Sequence, residues 1–360
     1  MGHNIKVNRL VTIVGARPQF VKVAPVSREL ALSGVEEILI HTGQHFDANM
    51  SDIFFQELGI RQPDIHLDVH GGNHGAMTGL MMQKLEPVLE FLRPDRVLVY
   101  GDTNSTLAGA LVAAKLGIAV AHVEAGLRSF NRAMPEEINR VMTDHLSDLL
   151  FTPTRTATGN LQREGFAASR IFQVGDVMYD AGLLAVERTA RSTVLQTTGV
   201  QSGNYILATL HRAENTANTT WLSAIVSALE EVADTMPVVL PLHPRTAACM
   251  RKTGLKFQRV MAVEPLGYLD MAALVANAAL IATDSGGVQK EAFFHRVPCV
   301  TYRTETEWVE LVDLGWNRLA PPDQPGLCQA MLAAIGTRGV DAAPYGDGHA
   351  AREICRIICQ

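Results

Sequence analysis

The feature that most constrains this chain is the rhythm in which short apolar, β-branched runs alternate with stretches of helical spacing. The runs fall at residues 10–14, 37–41, 96–100, 118–123, 149–152 and 171–174, and again at 205–210, 238–242, 259–263, 280–283 and 298–302. They hold apolar residues in succession rather than in strict alternation, as strands buried on both faces of a parallel sheet do. Between them lie segments with apolar residues three and four apart, such as 107–116 and 221–234. Strand then helix, repeated, makes βαβ units. Two such sets in 360 residues exceed one ordinary core. The expectation is an α/β chain of two Rossmann-like, doubly wound domains, with the boundary at 1–175 and 176–347. The end, 348–360, reads as a short helix with Ile354, Ile357 and Ile358 on one side, free to pack on either domain, the N-terminal one included.

Bulk composition removes several function classes. Apolar residues make up 47% and charged residues 19%, which is globular rather than disordered. A net charge of −6 argues against broad binding of nucleic acid or anionic membrane, which needs excess Lys and Arg. No apolar run approaches the roughly 20 residues of a membrane helix, and the polar start (residues 1–9) carries no secretory pattern. The five cysteines form no CxxC pair and are odd in number, as expected of buried thiols in a reducing compartment. These features predict a cytoplasmic protein.

Polar clusters fall directly after the apolar runs, at 15–19, 42–45, 101–106, 124–128, 211–215, 243–245, 264–268 and 283–291. Ligands of open α/β sheets bind outside the carboxyl ends of the strands. Clusters from both halves therefore predict a functional cleft shared by the two domains. The most distinctive segment is Thr283-Asp284-Ser285-Gly286-Gly287-Val288-Gln289-Lys290-Glu291. Its glycines let backbone N–H groups approach a phosphate at a helix N-terminus, and Glu291 is placed to accept from ribose hydroxyls. A plain Ser/Gly helix cap would look similar. Neither a GxGxxG nor a P-loop occurs. In the first half, Arg17 and Lys22 put cations where the helix dipole favours acids, which an anionic ligand explains and solvated surface charge explains less well.

Asp102 and Glu124 each follow an apolar strand. Burial and mutual repulsion are expected to bring such carboxylates toward values useful for proton transfer. Glu136 and Glu137 follow Pro135, so helix-start acids are the plain alternative for them. His211 and His243, each ending a strand and followed by Arg212 and by Pro244-Arg245, point to phosphate or substrate contact. A metal site was weighed on His41/His45 and His66/His70/His74. Gly71-Gly72 interrupts any helix through the second set, and no HExxH occurs, so no metal is expected.

With these residues in view, the chain resembles the non-hydrolysing UDP-N-acetylglucosamine 2-epimerases. The matching motifs are GARPQFVKVAPV, TGQH, GDTNST, HVEAGLRS, PEEINR, HRAEN, EPLGY and TDSGGVQKEA, in family order from residue 15 to about 292. The resemblance implies a glycosyltransferase-B-like fold, a UDP site mainly in the second domain, no metal or redox cofactor, and a homodimer. It implies elimination of UDP across C1–C2 to a glycal and re-addition with C2 inverted. By motif position the acid–base residues are Asp102, Glu124 and Glu136, with His211 assisting. The UDP contacts are Arg17, Lys22, Arg140, Ser285, Gly286, Gly287 and Glu291, to which the strand-end reading adds His243. The chain departs from the family pattern at Ala213, where a basic residue is usual, and at 46–49, near an allosteric UDP-sugar site of bacterial relatives. The runs TGQHFDANM and TETEWVELV are similar to a branch that epimerises UDP-2,3-diacetamido-2,3-dideoxy-glucuronic acid for surface polysaccharide. The alternatives are a glycosyltransferase of the same fold, which would need an acceptor groove, and a non-catalytic nucleotide-sugar sensor.

Overall fold

The computed structural model describes residues 7–44, 59–189 and 192–360. The chain divides into two compact units, Met1–Leu184 with Ala343–Gln360, and Ala185–Ala342. Among the described residues the first unit holds strands β1 (Arg9–Val14), β2 (Glu36–His41), β3 (Ile65–His66), β4 (Arg96–Tyr100), β5 (Ala119–Val123), β6 (Leu149–Thr152) and β7 (Ile171–Gln173). Their order is β3-β2-β1-β4-β5-β6-β7, and every pair is parallel. The second unit holds β8 (Ile206–Ala208), β9 (Val238–Pro241), β10 (Met261–Val263), β11 (Leu280–Thr283), β12 (Cys299–Thr301) and β13 (Asn317–Leu319). These run β10-β9-β8-β11-β12-β13, again all parallel.

The period of two along a strand sorts side chains onto two faces. In the first sheet Leu10, Val14, Leu98 and Tyr100 face a core closed by Phe20, Val23, Val26 and Leu30 of the helix Arg17–Ser33. Val11, Ile13, Val97 and Val99 face the opposite core, with Met81, Leu85 and Leu89 of the helix His74–Leu92 and Ala108 and Val112 of the helix Asn104–Lys115. In the second sheet Ile206, Ala208, Leu240 and Ala282 pack on the helix Thr219–Val232, and Leu207, Val239 and Ile281 on the helix Tyr268–Asn277. Burial on both faces is why these strands read as unbroken apolar runs.

The strand edges carry the differences from the sequence reading. β3 (Ile65–His66) and β13 (Asn317–Leu319) differ from the sequence reading, since neither lies in an apolar β-branched run of four or more residues. The run at 259–263 starts its strand at Met261. The terminal helix Ala350–Ile358 buries Ile354, Cys355 and Ile358 in the first unit's core. Its first amides are capped by Asp180, which accepts from Ala351 N at 2.8 Å and Ala350 N at 3.2 Å.

Both sheets reverse their winding, at β1/β4 in the first and β8/β11 in the second. A reversal leaves the loops at the carboxyl ends of its two strands diverging, and ligands bind there. The turns after β1, β4, β8 and β11 carry four of the eight polar clusters, 15–19, 101–106, 211–215 and 283–291.

Candidate active site

In the first unit the turn after β1 is built around Gly15, where a Cβ would run into Thr42 Oγ1 and Ser105 Oγ. Gln19 stitches this turn to the one after β4. Its Oε1 accepts from Gly15 N at 2.8 Å and Ala16 N at 3.0 Å, while Nε2 donates to Tyr100 O at 2.9 Å and Thr106 Oγ1 at 3.0 Å. Arg17 opens the following helix; its side chain, like His45 and residues 46–49, lies outside the described residues.

Lys22 is buried one turn further on, and its Nζ donates to Glu124 Oε2. Glu124, just past β5, is itself buried and sits at φ 72°, where a side chain is disfavoured. Such a residue costs on the order of 1–3 kcal/mol and persists only where its surroundings hold it. Here its amide and that of Ala125 both donate to Phe151 O, at 3.1 and 3.0 Å. Asp102, after β4, is partly exposed and accepts at Oδ2 from Arg140, through Nε at 3.1 Å and through Nη2. The nearest charged partner of each carboxylate is therefore a cation. The mutual repulsion expected between Asp102 and Glu124 is not what dominates them.

The helix Pro135–Leu146 supplies the rest of this half. Its buried face is polar: Glu137, Asn139, Arg140, Thr143 and Asp144. Glu137 takes Ser129 N at 2.9 Å, Phe130 N at 3.0 Å and Arg140 Nη1 at 2.9 Å, while Asn139 donates to Asp102 O at 2.9 Å. Glu136, the expected third acid–base group, is exposed on the first turn and makes no hydrogen bond or ion pair among the described residues.

In the second unit Asp284 organises the turn after β11. It is fully buried and accepts from His211 N at 3.0 Å, Arg212 N at 2.9 Å and Asn215 Nδ2 at 3.2 Å. Burial alone would raise its carboxyl, but His211 and these amides hold it below the usual range. His211 Nδ1 lies 3.2 Å from Asp284 Oδ1, and the His211 and His243 rings stand 6.1 Å apart. His243 caps the helix Pro244–Thr253, its Nδ1 accepting from Arg245 N at 3.2 Å, so its Nε2 is the protonated nitrogen.

Ser285 caps the helix Gly286–Phe294. A Cβ on Gly286 would stand 3.3 Å from Trp308 Nε1, 3.7 Å from Glu307 Oε2 and 4.0 Å from Arg212 Nη2. Glu307 is shared by Arg303, at 3.0 and 3.2 Å, and Arg212, at 3.5 Å. Arg212 also lies 3.9 Å from Glu214 Oε2, so these guanidiniums stand among carboxylates beside a helix N-terminus, whose free amides suit an anion. Glu291 is partly exposed by area, yet desolvation, opposed by Lys290, pushes its carboxyl up to about 7.

The structure thus joins Lys22 to Glu124, Arg140 to Asp102 and His211 to His243, and sets Ser285, Gly286 and Gly287 beside Arg212. Sequence reasoning passed over His122, Glu137, Asn139, Asp144, Asp284 and Glu307 as working residues. The available signal was spacing: Glu137, Arg140 and Asp144 share one helical face, and that face points inward. Among the described residues no three His, Cys, Asp or Glu side chains could hold a metal ion. His66, His70 and His74 are divided among a strand, a loop and a helix start.

The family model for UDP-N-acetylglucosamine 2-epimerase matches residues 28–359. The chain is 51% identical to the UDP-2,3-diacetamido-2,3-dideoxy-D-glucuronate 2-epimerase of Pseudomonas aeruginosa, over 98% of this chain and 99% of that protein. It superposes with a TM-score of 0.92 on the crystal structure of Methanocaldococcus jannaschii UDP-GlcNAc 2-epimerase in complex with UDP-GlcNAc and UDP, at 42% identity over 97% of this chain and 99% of that one. A calicheamicin glycosyltransferase, 14% identical with a TM-score of 0.53 over 98% of this chain and 94% of that one, shares the fold. With a family model spanning most of the chain and relatives aligned nearly end to end, this protein belongs to the UDP-N-acetylglucosamine 2-epimerase family of isomerases.

Proposed function

We propose that this enzyme inverts C2 of a UDP-linked 2-acetamido sugar by eliminating UDP to a glycal and adding it back. The observation that carries the reading is the pair of cation-held carboxylates, Glu124 with Lys22 and Asp102 with Arg140, on neighbouring strand ends. One carboxylate takes the C2 proton as the C1–O bond breaks with its electron pair leaving on UDP; the other returns a proton to the opposite face. His211 assists, and Glu136 joins from the rim of the same helix that holds Arg140. Diphosphate arriving at Lys22, Arg17 and Arg140 competes with the carboxylates for their cations, which frees one as the base and lets the other carry the proton it returns. In the second unit Ser285, Gly286, Gly287 and His243 meet the diphosphate and Glu291 the ribose, supported by the helix N-terminus at Gly286 and the Arg212 guanidinium near it.

The 51% relative favours UDP-2,3-diacetamido-2,3-dideoxy-glucuronic acid as substrate, in surface polysaccharide synthesis; UDP-GlcNAc is the second reading, favoured by the 42% match to the M. jannaschii enzyme. We also propose a cytoplasmic homodimer, in keeping with the family resemblance and the reduced cysteines; no helix of the described residues is long and apolar enough to cross a membrane. The test is incubation of both sugars with enzyme in D₂O. Deuterium should enter C2 of the manno product and of recovered substrate, faster for one sugar. No exchange with either removes the reading, and UDP release that depends on an acceptor replaces it with a glycosyltransferase.

A further inference from the structure

His122 has no part in the reading so far, yet it is placed between the two turns that matter most. It stands in β5, two residues before Glu124, with its ring fully buried. Its Nδ1 lies 2.7 Å from Asp144 Oδ1 and its Nε2 2.7 Å from the carbonyl oxygen of Gly101. A carbonyl oxygen can only accept, so Nε2 carries a proton. Asp144, fully buried too, accepts at Oδ2 from Arg128 Nη1 at 2.7 Å and from Gly126 N at 3.1 Å. Burial alone would raise its carboxyl; the bonds and charges of His122 and Arg128 outweigh that and hold it low. Asp144 is therefore a carboxylate, and Nδ1 must donate as well. Only a doubly protonated ring satisfies both acceptors. Arg128 extends the chain to Glu164 through Nε and Nη2, each at 2.7 Å. His122 and Arg128 against Asp144 and Glu164 sum to zero, so the buried charges are compensated.

We propose that His122, donating from both ring nitrogens, acts through Gly101 and Asp144 as a positioning residue for both Asp102 and Glu124. The Gly101 carbonyl belongs to the peptide leading into Asp102. The Gly126 amide belongs to the turn leaving Glu124, whose left-handed backbone needs holding. One ring and one carboxylate thus lock both turns from beneath. The Lys22–Glu124 pair lies over the same point: a Cβ on Gly101 would stand 3.1 Å from Glu124 Oε2 and 3.2 Å from Lys22 Nζ. The two-donor assignment rests on the ring geometry together with the low carboxyl of Asp144, while the positioning role rests on the epimerase reading above.

The experiment pairs a spectrum with kinetics on the full-length enzyme. In ¹⁵N NMR of the wild type, both ring nitrogens of His122 should show protonated, hydrogen-bonded shifts. Asp144→Asn preserves shape but removes the counter-charge, so one ring nitrogen should lose its proton. C2 deuterium exchange in this variant should fall about 10²-fold in kcat, as expected of a sub-ångström misplacement. KM and UDP affinity should stay within about threefold, because ground-state contacts are untouched. A neutral His122 in the wild type overturns the proposal, and that measurement needs no variant to fold. A folded Asp144→Asn enzyme with wild-type kcat overturns the positioning role. A charged ring in a wild type that exchanges no C2 deuterium overturns the epimerase reading, and the positioning role with it.

Discussion

Glu124 gathers three features in one proposed catalytic residue: a buried carboxylate, a left-handed backbone and an ion pair to the buried Lys22. Replacing it by Gln keeps size and removes the base. Glu124→Gln, and likewise Asp102→Asn, should lower kcat for C2 exchange by about 10²–10⁴-fold. UDP affinity measured by calorimetry should hold or tighten, since each substitution frees a cation, Lys22 or Arg140, for the diphosphate. A parallel collapse of UDP binding would instead make these residues ligand anchors. Glu291 gives a second residue-scale test. Its folded-state value of about 7 lies above its usual 4.5, so protonation favours the folded state. That contribution is complete below pH 4.5 and is lost as pH rises through 7. Glu291→Gln, neutral throughout, should match wild type near pH 4.5 and exceed it at pH 8. The full shift corresponds to about 3 kcal/mol, and partial exposure reduces the expected gain to roughly 1–2 kcal/mol. Urea denaturation at the two pH values reads it directly, and a gap that fails to widen with pH contradicts the assignment.

At the scale of elements, the helix Pro135–Leu146 departs from the usual rule that the buried face of a helix is apolar. Its inward face is charged because it serves loops rather than a core. That distinction was not legible in the sequence, where Glu136 and Glu137 look equivalent after Pro135; one helical step of about 100° sends one outward and one inward. The terminal helix Ala350–Ile358 behaves conventionally, and the sequence reading of its isoleucine stripe needed no correction beyond the role of Cys355. Ile354 is fully buried there, so Ile354→Ala should destabilise the first unit by about 2–5 kcal/mol. Asp180→Ala, which removes the cap on Ala350 and Ala351, should cost about 1 kcal/mol. Amide exchange across residues 350–358 would rise in both variants. Unchanged protection would mean the helix is held by something other than this face and cap.

At the scale of the whole molecule, two units with separate cores carry different proposed tasks, the first handling the C2 protons and the second the nucleotide. UDP at about 100 times its dissociation constant should stabilise the protein by about 2.7 kcal/mol. Amide protection should concentrate at 211–215 and 283–291, and protection confined to the first unit would reverse the assignment. Much of this architecture could be read in advance, because strands buried on both faces must be written as apolar runs and every turn after such a run is exposed to ligand. Periodicity and composition, properties of neighbours along the chain, thus determined by themselves the two parallel sheets, the strand ends as the active positions and the family motifs. Only the tertiary structure decided which charge meets which. Lys22 and Glu124 are 102 residues apart, and Arg140 and Asp102 are 38 apart. No local pattern encodes such pairings, since a Coulomb interaction depends on distance in space. The two edge strands escaped for a related reason, being made by pairing with a neighbour and not by their own two or three residues.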